Sequence, residues 1–216
     1  VYYDNTAPTV GIENPPNNSN ITTATVTANG PIIETGVGLD KIQYTTMTSP
    51  TESDWNDIGV NPGSTSWSQN LLFENEGIVT LKIRAYDKLG NASTVASSSF
   101  NYDSTSPTLA VTNLVANEYK NANFTLTGTA WDSNAIESIN VKDDGKSGDW
   151  TYNFTDTQRA IAKSDATKVT WNFDFVTGTD NSSAGNFLSE GLHTFVITLT
   201  DVADRTTQQT ITFTVD

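Results

Sequence analysis

The stretch YDNTAPT at residues 3–9 returns almost unchanged as YDSTSPT at residues 102–108. The last four residues, FTVD at 213–216, match FNYD at 100–103, so the beginning of the same stretch comes round a third time. Self-similarity at a fixed period is the signature of a repeated structural unit. The period is about 100 residues, the size of one small domain. The sequence therefore predicts two homologous domains, residues 1–103 and 104–216, joined by a very short linker.

Within each repeat, apolar residues alternate with polar ones. Residues 79–85 read VTLKIRA and residues 193–199 read HTFVITL. Such a period of two is typical of a strand with one buried and one exposed face. Thr recurs at every second position of 124–130 and 210–215, and it suits an exposed strand face because its β-branched side chain packs on the pleat. No sustained helical period is present, and residues 156–168 fit either a short helix or a loop.

Clusters of Asn, Asp, Pro and Gly separate seven such runs in each repeat. In the first repeat the expected strands, A to G, span 9–12, 21–28, 39–47, 55–58, 65–72, 78–87 and 93–102. In the second they span 108–112, 123–131, 136–142, 150–154, 169–176, 192–201 and 206–215. Seven strands in about 100 residues is the immunoglobulin-like pattern. We therefore expect an all-β chain of two tandem immunoglobulin-like antiparallel β-sandwiches, each of about seven strands.

Charge and composition exclude several classes of function. The 216 residues include 25 Asp and Glu against 11 Lys and Arg, a net charge of −14 that argues against nucleic acid as a partner. The absence of Cys rules out disulfides, thiol catalysis and zinc–thiolate sites. No apolar run approaches the ~18 residues of a membrane helix, so we expect no membrane insertion. Because the chain opens at Val1 without a signal peptide, we expect a piece of a longer protein.

Three short motifs resemble a known family: DNTAPTV at 4–10, YDKLGN at 86–91 and GTAWD at 128–132. They resemble the tandem bacterial immunoglobulin-like (BIg-type) repeats of extracellular surface and adhesin proteins, over nearly the whole chain. The resemblance implies an extracellular or cell-surface stalk whose immediate partners are neighbouring immunoglobulin-like domains of the same chain. It also implies a host or cell-surface protein or a glycan as a further partner, and calcium between successive domains in some members.

In a seven-stranded sandwich of this topology, the start of strand A, the B–C loop and the F–G loop lie at one pole. Carboxylates and amides occupy those positions in both repeats. In the second repeat they are Asp103, Asp132, Asn134, Asp201 and Asp204, and in the first they are Asp4, Glu34, Asp87 and Asn91. Calcium takes 6–8 oxygen ligands of these kinds. We therefore expect an inter-domain calcium site at the first group and an equivalent pole at the second.

The same residues also suit turns. Asp and Asn side chains hydrogen-bond local backbone groups and tolerate left-handed geometry, so structural turn capping stands beside calcium as an interpretation. Arg205 would compete with a cation, and Glu34 has a longer side chain than Asp132 at the matching position. The acidic segment 143–149 lacks the ligand spacing of an EF-hand loop and is typical of a hairpin turn.

Catalytic chemistry finds little support, and we expect no enzyme. The sole His, His193, falls on the inward-facing positions of strand F, where a buried imidazole with satisfied hydrogen bonds is the simpler interpretation. No Ser or Cys nucleophile motif accompanies it. Acidic residues are abundant, but the converging ones belong to short turns rather than to a cleft of the kind that a glycosidase needs.

Five Trp raise the alternative of carbohydrate binding. Trp55 with Trp150, and Trp67 with Trp171, recur at similar places in the two repeats, which favours a shared packing role. Trp131 has no counterpart and is the candidate ligand-binding ring. The favoured function is a non-enzymatic tandem spacer or adhesion segment with a calcium-rigidified joint. The alternatives are a carbohydrate-binding accessory region of a polysaccharide-degrading enzyme, and self-assembly through an unprotected strand edge that sequence does not reveal.

Overall fold

The computed structural model describes residues 3–146, 148–178 and 185–216. The chain divides into two compact units, Val1–Ser104 and Thr105–Asp216. Both units are built mainly of β-strands, as the alternating pattern predicts. No helix within the described ranges has the length and apolar character needed to cross a bilayer.

The first unit is a sandwich of two sheets. Its strands are β1 (Thr9–Val10), β2 (Asn20–Ile21), β3 (Thr25–Ile33), β4 (Leu39–Thr45), β5 (Asn56–Ile58), β6 (Ser66–Leu72), β7 (Gly77–Asp87) and β8 (Ala96–Tyr102), with a 3₁₀ turn at Glu52–Asp54. One sheet has the order β1-β3-β6 and the other β2-β8-β7-β4-β5. The pairing of β2 with β8 is parallel, and the other pairs are antiparallel.

The second unit repeats this plan. Its strands are β9 (Thr108–Val111), β10 (Tyr119–Lys120), β11 (Phe124–Trp131), β12 (Ile136–Asp143), β13 (Asp149–Asn153), β14 (Val169–Thr177), β15 (Phe187–Leu188), β16 (Gly191–Asp201) and β17 (Thr206–Val215). The sheets have the orders β9-β11-β14-β15 and β10-β17-β16-β12-β13. A short helix, α1 (Asp156–Ile161), and a 3₁₀ turn at Asp165–Thr167 occupy the stretch that fitted either helix or loop. The all-β, immunoglobulin-like sandwich expected from the sequence is confirmed.

The core of each unit comes from the alternation. In β16 the side chains of His193, Phe195, Ile197 and Leu199 are buried, while the Thr residues between them are only partly covered. Apolar side chains from both sheets meet between them in a single cluster in each unit. Segment 143–149 is the expected hairpin turn, since β12 and β13 pair antiparallel on either side of it; Ser147 within it lies outside the described residues.

The prediction for strand B of the first unit was wrong. Residues 21–28 were expected, whereas β3 spans Thr25–Ile33 and Asn20–Ile21 belongs to the opposite sheet. The run Asn29-Gly30-Pro31 has the composition of a turn, yet the strand continues through it. Ile32 N donates to Thr65 O and Gly11 N donates to Pro31 O, so the ladder continues on both sides of the missing proline N–H.

A glycine faces a tryptophan across neighbouring strands in both units. Gly30 pairs with Trp67, and Gly128 pairs with Trp171. A Cβ at Gly128 would lie 2.1 Å from the Trp171 ring, and one at Gly30 would lie 2.0 Å from Gly11 O. Both tryptophans are buried, so the packing role expected for this pair is confirmed. Glycine is required here because the indole and a neighbouring backbone fill the space of a side chain.

Trp55 and Trp150, by contrast, do not occupy matched positions. Trp150 pairs with Val141 and packs inward, with its ring centroid 4.8 Å from that of Phe175. In the first unit the position of Trp150 is taken by Asn56, and Trp55 lies one residue earlier, 4.2 Å from the Arg84 guanidinium. A shift of one residue along a strand moves a side chain to the other face of the sheet. The matched role predicted for these two residues was therefore wrong.

The glycine–tryptophan contact gives a test of the packing. Gly128→Ala should destabilise the second unit by about 3 kcal/mol, because the new methyl group overlaps both the Trp171 ring and Ala110 O. Gly59→Ala is the control, since a Cβ there meets nothing within 4 Å. The free energy of unfolding in urea measures both. Equal stability of the two variants would contradict this account.

Candidate metal centre

Two buried carboxylates meet in the second unit. Asp132 directly follows β11, and Asp201 is the last residue of β16, paired with Ile136. The exposed fraction is 1% for Asp132 and 0% for Asp201. Carboxylate oxygens of the two side chains lie within 4.8 Å of each other. The fold therefore brings the B–C and F–G turns together at one pole, as the topology of a seven-stranded sandwich requires.

One oxygen of each carboxylate serves the local turn. Asp132 Oδ1 accepts a hydrogen bond from Asn134 N at 2.7 Å. Asp201 Oδ1 accepts from Ala203 N at 2.8 Å and from Arg205 N at 2.9 Å. These are the Asx-type turns that the capping interpretation expects. Turn capping therefore accounts for the Oδ1 atom of each carboxylate.

The second oxygen of Asp201 has no such explanation. Asp201 Oδ2 is buried and accepts no hydrogen bond. Burial raises the pKa of this carboxyl above its ordinary value; hydrogen bonds from Arg205 N and Ala203 N, and the charge of Arg205, act in the opposite direction. A buried charge next to a second carboxylate is costly unless a proton or a cation compensates it. The chemistry of this pair therefore fits a hard, oxygen-preferring cation such as calcium.

The other predicted ligands of the second unit lie close by in sequence but differ in role. Asp204 is exposed, with φ at 62°, and its backbone N–H donates to Asp201 O, so it shapes the turn. The Arg205 side chain reaches Ser106 Oγ at 3.3 Å, and its charge favours the ionised form of Asp201. Arg205 thus supplies some of the positive charge that a cation would otherwise bring.

Asp103 closes the first unit. Its side chain is fully buried and its backbone N–H donates to Ile21 O, which ties the end of β8 to β2. Beside it, Glu76 Oε1 accepts from both the N–H and the hydroxyl of Ser104, at 2.7 Å each. The expectation that Asp103 joins Asp132 and Asp201 around a calcium ion stays a prediction.

The equivalent pole of the first unit is closed by hydrogen bonds. Asp4 accepts from Thr6 N through Oδ1 and from Val37 N through Oδ2. Glu34 Oε1 accepts from the N–H groups of two glycines in its own loop, at 2.7 and 3.3 Å. Asn91 Nδ2 donates to both Asp4 O and Asp87 Oδ2. Asn91 thus joins Asp4 to Asp87, and neighbouring donors occupy both carboxylate oxygens of Asp4 and of Asp87.

Asp87 and Asp201 hold the same position and behave in opposite ways. Burial acts to raise the pKa of Asp87, but hydrogen bonds from the Asn91 side chain and from the N–H groups of Asn91, Leu89 and Gly90 hold it below its ordinary value. In the second unit Arg205 stands where Asn91 stands in the first, so no amide reaches Asp201 Oδ2. A single neighbouring residue therefore decides which pole keeps a bare carboxylate oxygen.

This contrast predicts opposite pH dependences. In chelator, the stabilising effect of protonated Asp201 should be complete below about pH 4 and lost as the pH rises through its raised pKa, because the folded unit holds the proton more tightly than the unfolded chain. In Asp201→Asn this decrease in stability should be absent when Tm is measured from acid to neutral pH. Asp87→Asn is the matched control: its lowered pKa gives stability above pH 4 that is lost on acidification. If the pH dependence of Tm changed in the same direction in both variants, the opposite pKa shifts assigned to Asp201 and Asp87 would be refuted.

The aromatic candidates lie mostly inside the units. Trp131 is half-buried at the end of β11, opposite Thr108. None of the five Trp is among the exposed large apolar side chains of the described residues. Trp67 Nε1 donates to Gly11 O at 2.8 Å, which joins the indole to the backbone near β1. Trp67, Trp150 and Trp171 pack in the cores, whereas Trp55 and Trp131 are only partly buried.

The sequence analysis missed the buried partner of His193. His193 Nδ1 lies 2.6 Å from Asp143 Oδ2 and Nε2 lies 2.7 Å from Ser189 O. Lys146 Nζ also lies 3.2 Å from His193 Nε2, so both ring nitrogens have polar partners. Asp143 Oδ1 also accepts from Thr194 N, and the imidazole stacks on Phe213. The expected buried, hydrogen-bonded histidine is confirmed; its partner was recognisable as the other inward-facing charge at the same end of the paired strands.

Replacing the Asp143 carboxylate weakens the buried hydrogen bond between Asp143 Oδ2 and His193 Nδ1. Asp143→Asn should therefore lower the free energy of unfolding of the second unit by about 2 kcal/mol. Asp144→Asn, at the exposed neighbouring position, should change it by less than about 0.5 kcal/mol. Urea unfolding at neutral pH compares the two. A small, equal effect would show that the pair contributes little.

No protein-family model matches the chain, and no curated protein is detectably similar to it in sequence. Three solved structures illustrate the likeness in fold. The fibronectin(III)-like modules of Clostridium thermocellum CbhA are 16% identical, with 96% of this chain and 94% of that chain covered and a TM-score of 0.46. The D00-D0 domain of intimin is 14% identical, with 95% and 99% covered and a TM-score of 0.39.

The I-band fragment I67-I69 from titin is 11% identical, with 97% of this chain and 66% of that chain covered and a TM-score of 0.47. Identities and TM-scores of this size carry no functional argument. The fold is assigned instead from the strand order and register of this chain. They define a tandem pair of immunoglobulin-like β-sandwiches.

Proposed function

We propose that this chain is a non-enzymatic spacer or adhesion segment of a bacterial cell-surface or secreted protein, and that a calcium ion rigidifies the joint between its two units. The observation that carries the proposal is the bare, buried Asp201 Oδ2 beside the buried Asp132 carboxylate. A cation at this point compensates both charges. The two-sandwich fold supports the spacer role, because each unit has its own core.

Chain connectivity supports Asp103 as a third ligand. Asp103 lies five residues before Thr108, and Thr108 pairs with Trp131, the residue immediately before Asp132. A five-residue segment spans at most ~18 Å, so the linker keeps Asp103 within reach of this pole. A calcium ion held by Asp103, Asp132 and Asp201 would tie the end of the first unit to the second. Asn134 and water are available to complete the 6–8 oxygen ligands that calcium prefers.

The same reasoning favours a single strong site. In the first unit, backbone N–H groups and the Asn91 amide occupy the carboxylate oxygens of Asp4 and Asp87. A cation there would have to displace these donors. We therefore assign calcium to the second pole alone, and treat Asp4, Glu34 and Asp87 as residues that shape their turns.

The burial of Trp67 and Trp171 favours a spacer over the alternative, a carbohydrate-binding accessory region of a polysaccharide-degrading enzyme. Carbohydrate binding of that kind needs a solvent-exposed row of aromatic rings. The host or cell-surface protein or glycan that an adhesion segment would contact remains part of the proposal.

Calorimetric titration of calcium chloride into the chelator-treated chain tests the metal. Extracellular modules bind calcium with dissociation constants of about 10⁻⁴–10⁻³ M. At tenfold saturation the ion should add roughly 1.4 kcal/mol to the stability, which raises Tm by about 3–6 °C. Asp132→Asn and Asp201→Asn should abolish both effects, and Asp103→Asn should weaken them.

The control is Asp174→Asn, which removes an exposed carboxylate from β14 of the same unit. It should bind calcium as the unaltered chain does. Small-angle scattering with calcium and with chelator tests the joint, because a rigidified pair of units gives a narrower range of dimensions. A flat titration with identical melting curves would overturn the calcium proposal, and turn capping would then be the whole role of these residues.

A further inference from the structure

The two units differ in whether a further strand covers the outer edge of the smaller sheet. In the first unit β6 is an outer strand of the order β1-β3-β6, and it is seven residues long. The other outer strands of the four sheets are two to five residues long. Long outer strands present unpaired backbone groups to other chains, and most proteins shorten or block them. β6 is therefore the longest outer strand of the described residues.

The hydrogen bonds at its two ends fix which backbone groups face outward. Ile32 N donates to Thr65 O, and Phe73 N donates to Ala24 O, so the odd-numbered residues of this strand face β3. In an antiparallel pair the intervening residues point their N–H and C=O groups away from the partner. Four residues therefore present backbone groups at the open edge: Ser66, Ser68, Asn70 and Leu72.

The usual protective devices are missing from this strand. Its sequence, SWSQNLL, contains no charged residue and no proline. Gln69 Nε2 donates to Asn70 O, and this side-chain bond covers one of the outward carbonyls. Leu72 is 68% exposed and adds apolar surface beside the edge. In a chain with a net charge of −14, an uncharged seven-residue edge is a place where two copies approach without repulsion between side chains of that strand.

The second unit covers one end of the same edge with its own chain. β14 is the equivalent of β6, and β15 pairs with it at Val176 and Thr177. Asn186 O accepts from Val176 N, and Asn186 Nδ2 donates to Asp174 O. In the first unit the matching positions are Leu72 and Asn70. The second unit thus satisfies outward groups that the first leaves open, and it also places a carboxylate, Asp174, on the strand.

We propose that β6 is a self-association edge, which pairs antiparallel with β6 of a second copy of this chain. A two-fold axis at Gln69 brings Ser68 opposite Asn70 and Ser66 opposite Leu72. Every outward-facing residue then meets an outward-facing residue, so each N–H finds a C=O across the axis. The two three-stranded sheets become one continuous sheet of both copies.

The short length of β6 makes this pairing weak. A single seven-residue edge buries less than the ~1,000 Å² that a stable interface needs, so the dimer is weak and its population depends on concentration. On a surface that displays many copies, such weak contacts add through multivalency. The pairing concerns the first unit alone and does not involve the calcium residues.

Analytical ultracentrifugation of the full chain up to ~1 mM tests the pairing. The mass should rise toward that of a dimer with concentration. Ser68→Lys should abolish the rise because it places a charge at the edge, and Ser68→Pro should abolish it by removing an outward N–H that β3 does not use. Asn172→Lys, at the position of β14 equivalent to Ser68, is the matched control and should still dimerise.

Hydrogen exchange identifies the surface. On dimerisation the amides of Ser66, Ser68, Asn70 and Leu72 should gain protection, while those of Trp67, Gln69 and Leu71 should stay unchanged because they already face β3. A chain that remains monomeric over the whole range overturns the proposal. A dimer that persists in both Ser68 variants, or that protects amides elsewhere, overturns it as well.

Discussion

The contact between a glycine and a tryptophan on adjacent strands sets the geometry of each sandwich. Trp67 and Trp171 are among the largest buried side chains, and each needs the space that a missing Cβ leaves at Gly30 or Gly128. This contact lies on the strands that lead into the B–C turns. With those strands fixed, the pole where the turns converge is also fixed. The candidate metal centre therefore depends on a packing contact to which it contributes no residue.

At that pole, a common framework supports two different chemistries. Asp87 and Asp201 end equivalent strands and are both buried, yet their pKa values shift in opposite directions. Burial acts to raise the pKa of both carboxyls, and a side-chain hydrogen bond from Asn91, which Arg205 does not supply to Asp201, helps to lower that of Asp87. An amide donates directly to the carboxylate, whereas the guanidinium acts only through its charge. The duplicated fold thus keeps one pole as a hydrogen-bonded turn, while Asp201 Oδ2 at the other pole accepts no hydrogen bond.

The same divergence appears along the sheets. In the first unit β6 is left open, while β15 and Asn186 cover part of β14 in the second. A spacer needs only stable sandwiches, and neither feature is required for stability alone. Both proposed contacts, the cation at one pole and the strand edge of one unit, depend on backbone or carboxylate groups that are satisfied in the sister unit. For each of the two proposed contacts, the other unit therefore serves as an internal control.

The sequence by itself determined the duplication, the all-β class and the inward side of the strands, because the repeat and the period of two are local patterns. It also placed Asp132 and Asp201 at one pole through the known topology. Tertiary structure alone decided that β3 runs through Gly30, that His193 contacts Asp143, and that β6 has no strand on its outer side among the described residues. Those outcomes depend on contacts between residues distant in the chain, where packing space and hydrogen-bond partners override local turn and strand preferences.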